Sequence, residues 1–218
     1  MKYRMILLLS LLLTLLAPQT SSAAVQTSAV NASALVASAD NGISFRIVYN
    51  AGVYEVYMTP SATAAAPGIT LTAQVTLKTP RNGEISFDPT NVTSTVAGTA
   101  WSLTSRIDAP AEDPNADYLS FTVEFPDGDY RAFQWVANQE VKVFTFENAN
   151  ACLGAVSLMS NDDAFAQLPN SVGTNPGNQI DVMGMGEGNA FMSVAGAPAL
   201  CSQDRSLENK VFLPIMLK

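Results

Sequence analysis

The sequence predicts an all-β protein whose main domain is an antiparallel β-sandwich. Three observations carry this prediction. About ten short segments show strand-like alternation or apolar clustering, Gly, Pro, Asn and Asp punctuate the intervals between them, and only one segment favours a short helix. No segment recurs at a fixed period, which excludes solenoids and propellers.

The first strands are predicted as a hairpin. Apolar residues alternate over residues 43–49, Asn-Ala-Gly at 50–52 is typical of a turn, and residues 53–58 supply the return strand. The next strand, residues 69–78, is the clearest, because strict alternation is typical of a half-buried antiparallel strand. Its predicted inward face consists of Leu71, Ala73, Val75 and Leu77.

A three-stranded meander is predicted over residues 118–125, 130–136 and 140–146. Phe133 and Trp135 share one side of its middle strand, where packing in the core is favoured over exposure. The remaining strands are predicted near residues 84–87, 92–96, 101–106, 155–159, 179–183, 190–194 and 211–217.

The short helix is predicted over residues 162–168. Asn161 is positioned to cap it, and acidic residues in its first turn suit the helix dipole.

Residues 1–24 have the three parts of a signal peptide. A basic start at Lys2 and Arg4 precedes an apolar run of about 12 residues, and small residues follow up to Ala24. An uncleaved anchor is the alternative, but the run is shorter than the roughly 20 residues that a bilayer requires. We therefore expect export, a flexible arm at 25–41 and one sandwich domain at 42–218.

Composition excludes several functions. The chain of 218 residues has no His, so it cannot form a Ser/His/Asp or Cys/His catalytic group or a His-ligated metal site. Its net charge of -8 argues against nucleic-acid binding, which requires a basic surface. No segment after the leader predicts a membrane span. Paired carboxylates could in principle act in glycoside hydrolysis, but the sequence favours no pair among 19 acids, and we expect no enzyme.

The two cysteines, Cys152 and Cys201, are expected to form a disulfide because export favours oxidation. Free thiols are the alternative. The bridge would hold the loop-rich region between residues 150 and 202 against the sandwich.

A calcium site is the one metal-binding hypothesis. Oxygen-bearing side chains recur closely before a predicted strand, in the manner of a calcium-binding loop. Tyr118 stands where an EF-hand loop needs Gly, so a looser site is considered, with a solvated acidic loop as the alternative. Its ligands would be Glu112, Asp113, Asn115 and Asp117. No other cofactor is expected.

The phrase Phe87-Asp88-Pro89-Thr90-Asn91-Val92, followed by Gly98-Thr99-Ala100-Trp101 and a late strand at 141–146, resembles cohesin-like and carbohydrate-binding sandwich domains. The resemblance covers residues 43–147. It implies a jelly-roll or immunoglobulin/cohesin-like sandwich in an extracellular, bacterial adhesion or scaffold module, and it implies no catalytic residues. The closing Phe212-Leu213-Pro214-Ile215 resembles a phrase common in exported proteins of filamentous environmental bacteria.

Together these features predict a secreted, non-catalytic surface protein for structure or adhesion. Its partners would be other copies of itself or surface proteins, bound by strand addition at sheet edges. The residues expected to mediate assembly are Val211, Phe212, Leu213 and Ile215. The alternative is a module that binds extracellular polysaccharide, for which Tyr49, Tyr54 and Tyr57 are the candidates for exposed aromatic rings.

Overall fold

Eleven strands and a single turn of 3₁₀ helix, Ala164–Ala166, make up the regular structure of the residues described by the computed structural model, 41–83 and 85–201. The predicted signal peptide, the arm up to residue 40 and the predicted strand at 211–217 lie outside the described residues. The strands are β1 (Ile43–Asn50), β2 (Val53–Pro60), β3 (Thr70–Pro80), β4 (Pro89–Ser94), β5 (Ala100–Asp108), β6 (Ala116–Glu124), β7 (Val141–Asn148), β8 (Ala155–Leu158), β9 (Gln179–Val182), β10 (Phe191–Val194) and β11 (Ala199–Leu200).

The strands form two sheets, which confirms the predicted all-β sandwich. Sheet one has the order β10-β1-β2-β7-β4, and sheet two has the order β11-β8-β3-β6-β5. Strand β9 pairs with β3 next to β8, so these two short strands share one edge of β3. Neighbours are antiparallel except β1 and β10, which are parallel.

The predicted hairpin forms β1 and β2. Asn50 pairs with Val53, so only Ala51 and Gly52 remain in the turn. Both have positive φ, 49° and 97°, which is the backbone that a two-residue hairpin turn favours because its twist matches that of the strands. The turn therefore fixes the register, and the register sends the predicted apolar row of β1 inward.

The core between the sheets is rich in stacked aromatic rings. Phe146 of β7 stacks on Tyr54 at 5.1 Å and on Phe121 at 5.5 Å between ring centroids. Trp101 stacks on Phe144 at 4.7 Å. These rings are all buried, and offset aromatic pairs add about 0.5–1.5 kcal/mol each beyond the burial of their area. The two sheets are thus joined by contacts between large rings.

Three predicted elements differ in the structure. Of residues 85–87, in the strand predicted near 84–87, only Ile85 is paired, in an isolated bridge with Asn82. Residues 130–136 are turns and irregular backbone, and the alternation at Phe133 and Trp135 arises because both rings insert into the core from a loop. The helix predicted at 162–168 is only the Ala164–Ala166 turn. Its cap is Asp163 instead of Asn161, because the Asp163 carboxylate accepts a hydrogen bond from the Phe165 amide.

The outer face of sheet two is covered by the chain itself. Tyr118 points away from the main core and packs with Ala116, Met159 and Phe165 in a second, small core. Thr76 of β3 and Ser120 of β6, which alternate with core residues of their strands, are buried and share a hydrogen bond of 2.9 Å between their hydroxyls. We call residues 159–178, which follow β8 and lie on this face, the cover segment.

Candidate interaction surfaces

Two of the residues predicted to bind calcium have other partners on the loop between β5 and β6. Both carboxylate oxygens of Glu112 accept hydrogen bonds from Ser171, one from its amide and one from its hydroxyl, at 2.6 Å. Asp113 forms an ion pair of 2.7 Å with Lys78. The Asn115 amide donates to Asp113 Oδ1 at 3.2 Å, which is a turn within the loop.

The fourth predicted ligand, Asp117, is fully buried at the start of β6. Its Oδ1 accepts hydrogen bonds from Arg81 at 2.9 Å and from the Ala109 amide at 3.1 Å, and Arg106 lies 3.5 Å from Oδ2. The four residues thus point to separate partners. Among residues 41–83 and 85–201, no cluster of three or more acidic or cysteine side chains could hold a metal ion. The calcium site therefore stays a prediction without support from this geometry.

A polar cluster fastens the cover segment to sheet two. Lys78 of β3 lies 2.8 Å from Asp163 as well as 2.7 Å from Asp113, and the Tyr118 hydroxyl donates to Asp163 at 2.8 Å. Burial opposes ionisation of Asp163, but hydrogen bonds from Lys78, the Phe165 amide and Tyr118 outweigh it and lower the pKa of the carboxyl. The two carboxylates likewise outweigh burial and raise the pKa of Lys78. Lys78 and Asp163 therefore remain charged at neutral pH.

The predicted disulfide is confirmed. Cys152 and Cys201 are bonded, with their Cα atoms 5.7 Å apart. The bridge joins the segment before β8 to the residue after β11, so it closes a loop that contains the whole cover segment. The predicted assembly residues Val211, Phe212, Leu213 and Ile215 lie outside the described residues.

The outer face of sheet one carries no such cover among the described residues. At its centre Tyr57 is half-buried, with the Arg46 guanidinium 4.4 Å above its ring. Arg46 also forms two hydrogen bonds with Glu140, at 2.9 and 2.7 Å. The Tyr57 hydroxyl donates to Glu55 at 2.5 Å, and Lys142 lowers the pKa of that carboxyl together with Tyr57. The charges of this face are therefore paired with one another.

The aromatic residues that were predicted as candidates for exposed rings differ in burial. Tyr54 is buried in the core, where burial and the neighbouring Tyr49 raise the pKa of its hydroxyl to about 12. Tyr49 and Tyr57 are half-buried, and both tryptophans, Trp101 and Trp135, are buried. A planar row of exposed rings is thus not seen in the described part of the chain.

One end of the sandwich contains a cavity of about 330 Å³. Its walls are the loop at 63–68 and the loop at 131–136, with Phe133 and Trp135 stacked 5.0 Å apart behind it. The loops are joined by a hydrogen bond of 3.0 Å from the Ala64 amide to the Trp135 carbonyl. The Trp135 indole donates to Thr70 at 2.9 Å, which fixes the ring against β3.

The lining of this cavity includes polar side chains that can form hydrogen bonds. Arg131, Gln134 and Thr63 are in its lining, and the lining contains no carboxylate. Neither does that of the three other described cavities. Arg131 is exposed, and its guanidinium has no hydrogen bond or ion pair with any described residue.

The side of the sandwich where β4 and β5 end the two sheets is open. These edge strands contact each other across the side. Leu103 of β5 lies opposite the buried Phe121 and on the same side of its strand as Trp101, yet it is 38% exposed whereas Trp101 is 5% exposed. A leucine that faces the core is therefore accessible to solvent at this side of the sandwich. We call this region, β4 with β5, the open flank.

Sequence patterns did not identify the open flank. Leu103 sits in a predicted strand, but whether a strand is an edge depends on the pairing order, which periodicity does not give. The same holds for Lys78 and Asp163, which are 85 residues apart and meet only in the folded chain. The single usable signal was the low apolar content of the β4 sequence, Pro89–Ser94, which suits an edge.

No family model matches the sequence, and no curated protein matches it either. No helix among residues 41–83 and 85–201 has the length and apolar content needed to cross a bilayer.

Proposed function

We propose that this protein is exported and acts outside the cell as a non-catalytic structural or adhesion protein that assembles by adding strands to sheet edges. The open flank is the observation that carries the proposal. Two neighbouring edge strands and an accessible core leucine offer unpaired backbone groups beside apolar surface, which is what an added strand binds.

Two further features support this function. The signal-peptide pattern at 1–24 and the Cys152–Cys201 disulfide both suit an oxidising compartment outside the cytoplasm. The chain has no His, and the described cavities are lined by no carboxylate, so the groups that would perform acid–base chemistry do not converge there.

The test is the mass of the purified, exported chain as a function of concentration. Light scattering coupled to size-exclusion chromatography should show species that grow with concentration, and electron micrographs should show extended particles. A chain that stays monomeric at the highest attainable concentration would remove the assembly function.

Carbohydrate binding is the second candidate, and the cavity at residues 63–68 and 131–136 is what favours it. Saccharides bind through apolar ring faces together with amide, hydroxyl and guanidinium groups, and this cavity combines both kinds of surface. A glycan array with the full chain should then give hits that weaken in Gln134→Ala and Arg131→Ala. Gln139→Ala, at an exposed position outside the cavity lining, is the matched control. An array without hits rejects this candidate.

A further inference from the structure

The open flank has a geometry that selects one kind of occupant. Beyond its ladder with β6, β5 has no strand neighbour in the described residues, so one edge of Ala100–Asp108 is available. The register of β5 breaks between Leu103 and Ser105, which leaves two regular stretches, 100–103 and 105–108. A strand that pairs with this edge therefore needs two short extended stretches separated by one irregular residue.

The sequence contains a segment with this division. Residues 211–217, Val-Phe-Leu-Pro-Ile-Met-Leu, consist of three apolar residues, a proline and three apolar residues. Proline has no amide hydrogen and is tolerated only at edges and bulges of a sheet. Pro214 would therefore lie opposite Thr104, where β5 is irregular because its ladder with β6 is interrupted.

The apolar character of the segment also matches the flank. Leu103 is accessible on the core-facing side of β5, and Val92 of β4 is only partly buried against the same core. A strand added to β5 places alternate side chains toward these two residues. Burial of the six apolar side chains of this segment against the flank supplies the driving force.

Resting on the proposed assembly function, we propose that Val211–Leu217 of one molecule adds as a strand to the β5 edge of a second copy. A second copy is favoured over the same molecule by reach. Strand β11, after which the segment follows, ends sheet two at the edge opposite to β5, and the cover segment lies on the face between them. The spacer of nine residues, 202–210, spans at most about 30 Å when fully extended. Little of that length is left over for a path around the cover segment to β5 of the same molecule.

Since the contact joins two different surfaces, it generates an open chain of molecules where its rotation does not close and a ring where it does. The full chain should therefore form species larger than dimers as concentration rises. Two variants block opposite halves of the contact. Leu103→Lys places an ammonium on the flank, and a chain ending at Lys210 lacks the added segment.

Each variant alone should be monomeric, with a dissociation constant raised at least about tenfold for Leu103→Lys, because a lysine on the apolar flank must be desolvated. Leu168→Lys makes the same chemical change at a 61% exposed leucine of the cover segment, outside β4 and β5, and should assemble like the parent chain. Thermal melts of all variants verify folding.

Mixing the two blocked variants is the decisive experiment. Leu103→Lys still carries the segment, and the shortened chain still has a free edge, so the mixture should form a one-to-one dimer and stop there. Absence of that dimer overturns the proposal, as does assembly of either variant at parental affinity. In both cases the proposed function survives if the parent chain assembles, and it fails only if the parent chain is monomeric.

Discussion

The two sheets differ in what covers their outer faces. Sheet two has the cover segment on its outer face, held by the Lys78–Asp163 ion pair and by buried hydrogen bonds. Sheet one presents paired surface charges around Tyr57, such as Arg46 with Glu140. Both outer faces have polar residues at alternate positions, yet Thr76 and Ser120 of sheet two are buried, whereas the Arg46 side chain of sheet one is 31% exposed. Polar residues in the same alternating pattern therefore form buried contacts in sheet two and solvent-exposed pairs in sheet one. Mutations should cost more stability in sheet two than in sheet one.

Removal of the disulfide is expected to give the largest loss in the free energy of unfolding, and to affect sheet two more than sheet one. Replacing Cys152 and Cys201 by Ser releases a loop with a sequence separation of 49, and the loop-closure model gives a loss of about 4 kcal/mol in the free energy of unfolding. Urea denaturation measures the loss. Hydrogen exchange should show amides of β8 and β11 losing protection before those of β1 and β2. Equal loss in both sheets would contradict a specific role in holding the cover.

Asn178 is the next strongest link of the cover. Its Oδ1 accepts from the Thr76 amide at 2.7 Å, and its amide group donates to the Met159 carbonyl at 2.5 Å, both buried. Asn178→Ala leaves these two backbone groups unpaired and should cost about 2–4 kcal/mol. The exposed Asn175→Ala is the matched control and should change the denaturation midpoint little. Comparable losses in the two variants would refute the assignment.

The Asp163 carboxyl should make the cover sensitive to acid. Its pKa is lowered in the folded chain, so ionised Asp163 stabilises the fold above the ordinary carboxyl pKa of about 3.9. That contribution disappears as pH falls below this value and through the lowered pKa. Asp163→Asn should lose about 1–3 kcal/mol at pH 7 and lose less than the parent on acidification. A parallel pH dependence of the two melting temperatures would count against this assignment.

The smallest effect is expected on sheet one. Arg46 and Glu140 form an ion pair whose side chains are 31% and 38% exposed, and water and salt screen such pairs. Arg46→Ala should therefore change the free energy of unfolding by about 0.5 kcal/mol or less. A loss above that of Asp163→Asn would reverse the comparison between the two faces.

The positions of the strands could be predicted from the sequence more accurately than the burial of each of their side chains. Strict alternation located β1, β2 and β6 because each has a core-facing row such as Ile43, Phe45 and Ile47. It misassigned Leu71, predicted inward but 46% exposed, because β3 shifts register between Thr70 and Thr72. Such a shift moves a side chain to the other face without changing the pattern of residues.

The candidate surfaces were harder to predict than the strands. They depend on the order in which strands pair and on contacts between residues far apart in the sequence. The Cys152–Cys201 bridge was predictable, since the sequence has two cysteines, which leave one pairing, and the predicted signal peptide favours oxidation. The calcium residues looked alike in sequence, but Asp117 is buried with Arg81 whereas Glu112 binds Ser171. Only the folded chain separates a structural carboxylate from a solvated one.

The parallel pairing of β1 with β10 has a mechanical consequence. The amide of Ile43 donates to the Ala190 carbonyl, and that of Ala195 donates to the Phe45 carbonyl, so the ladder is fastened at both ends. In parallel strands, the start of one and the end of the other lie at opposite ends of the ladder. A tensile load drawn between residues 41 and 196 would therefore strain its hydrogen bonds in shear, all together, and would not unzip them one after another.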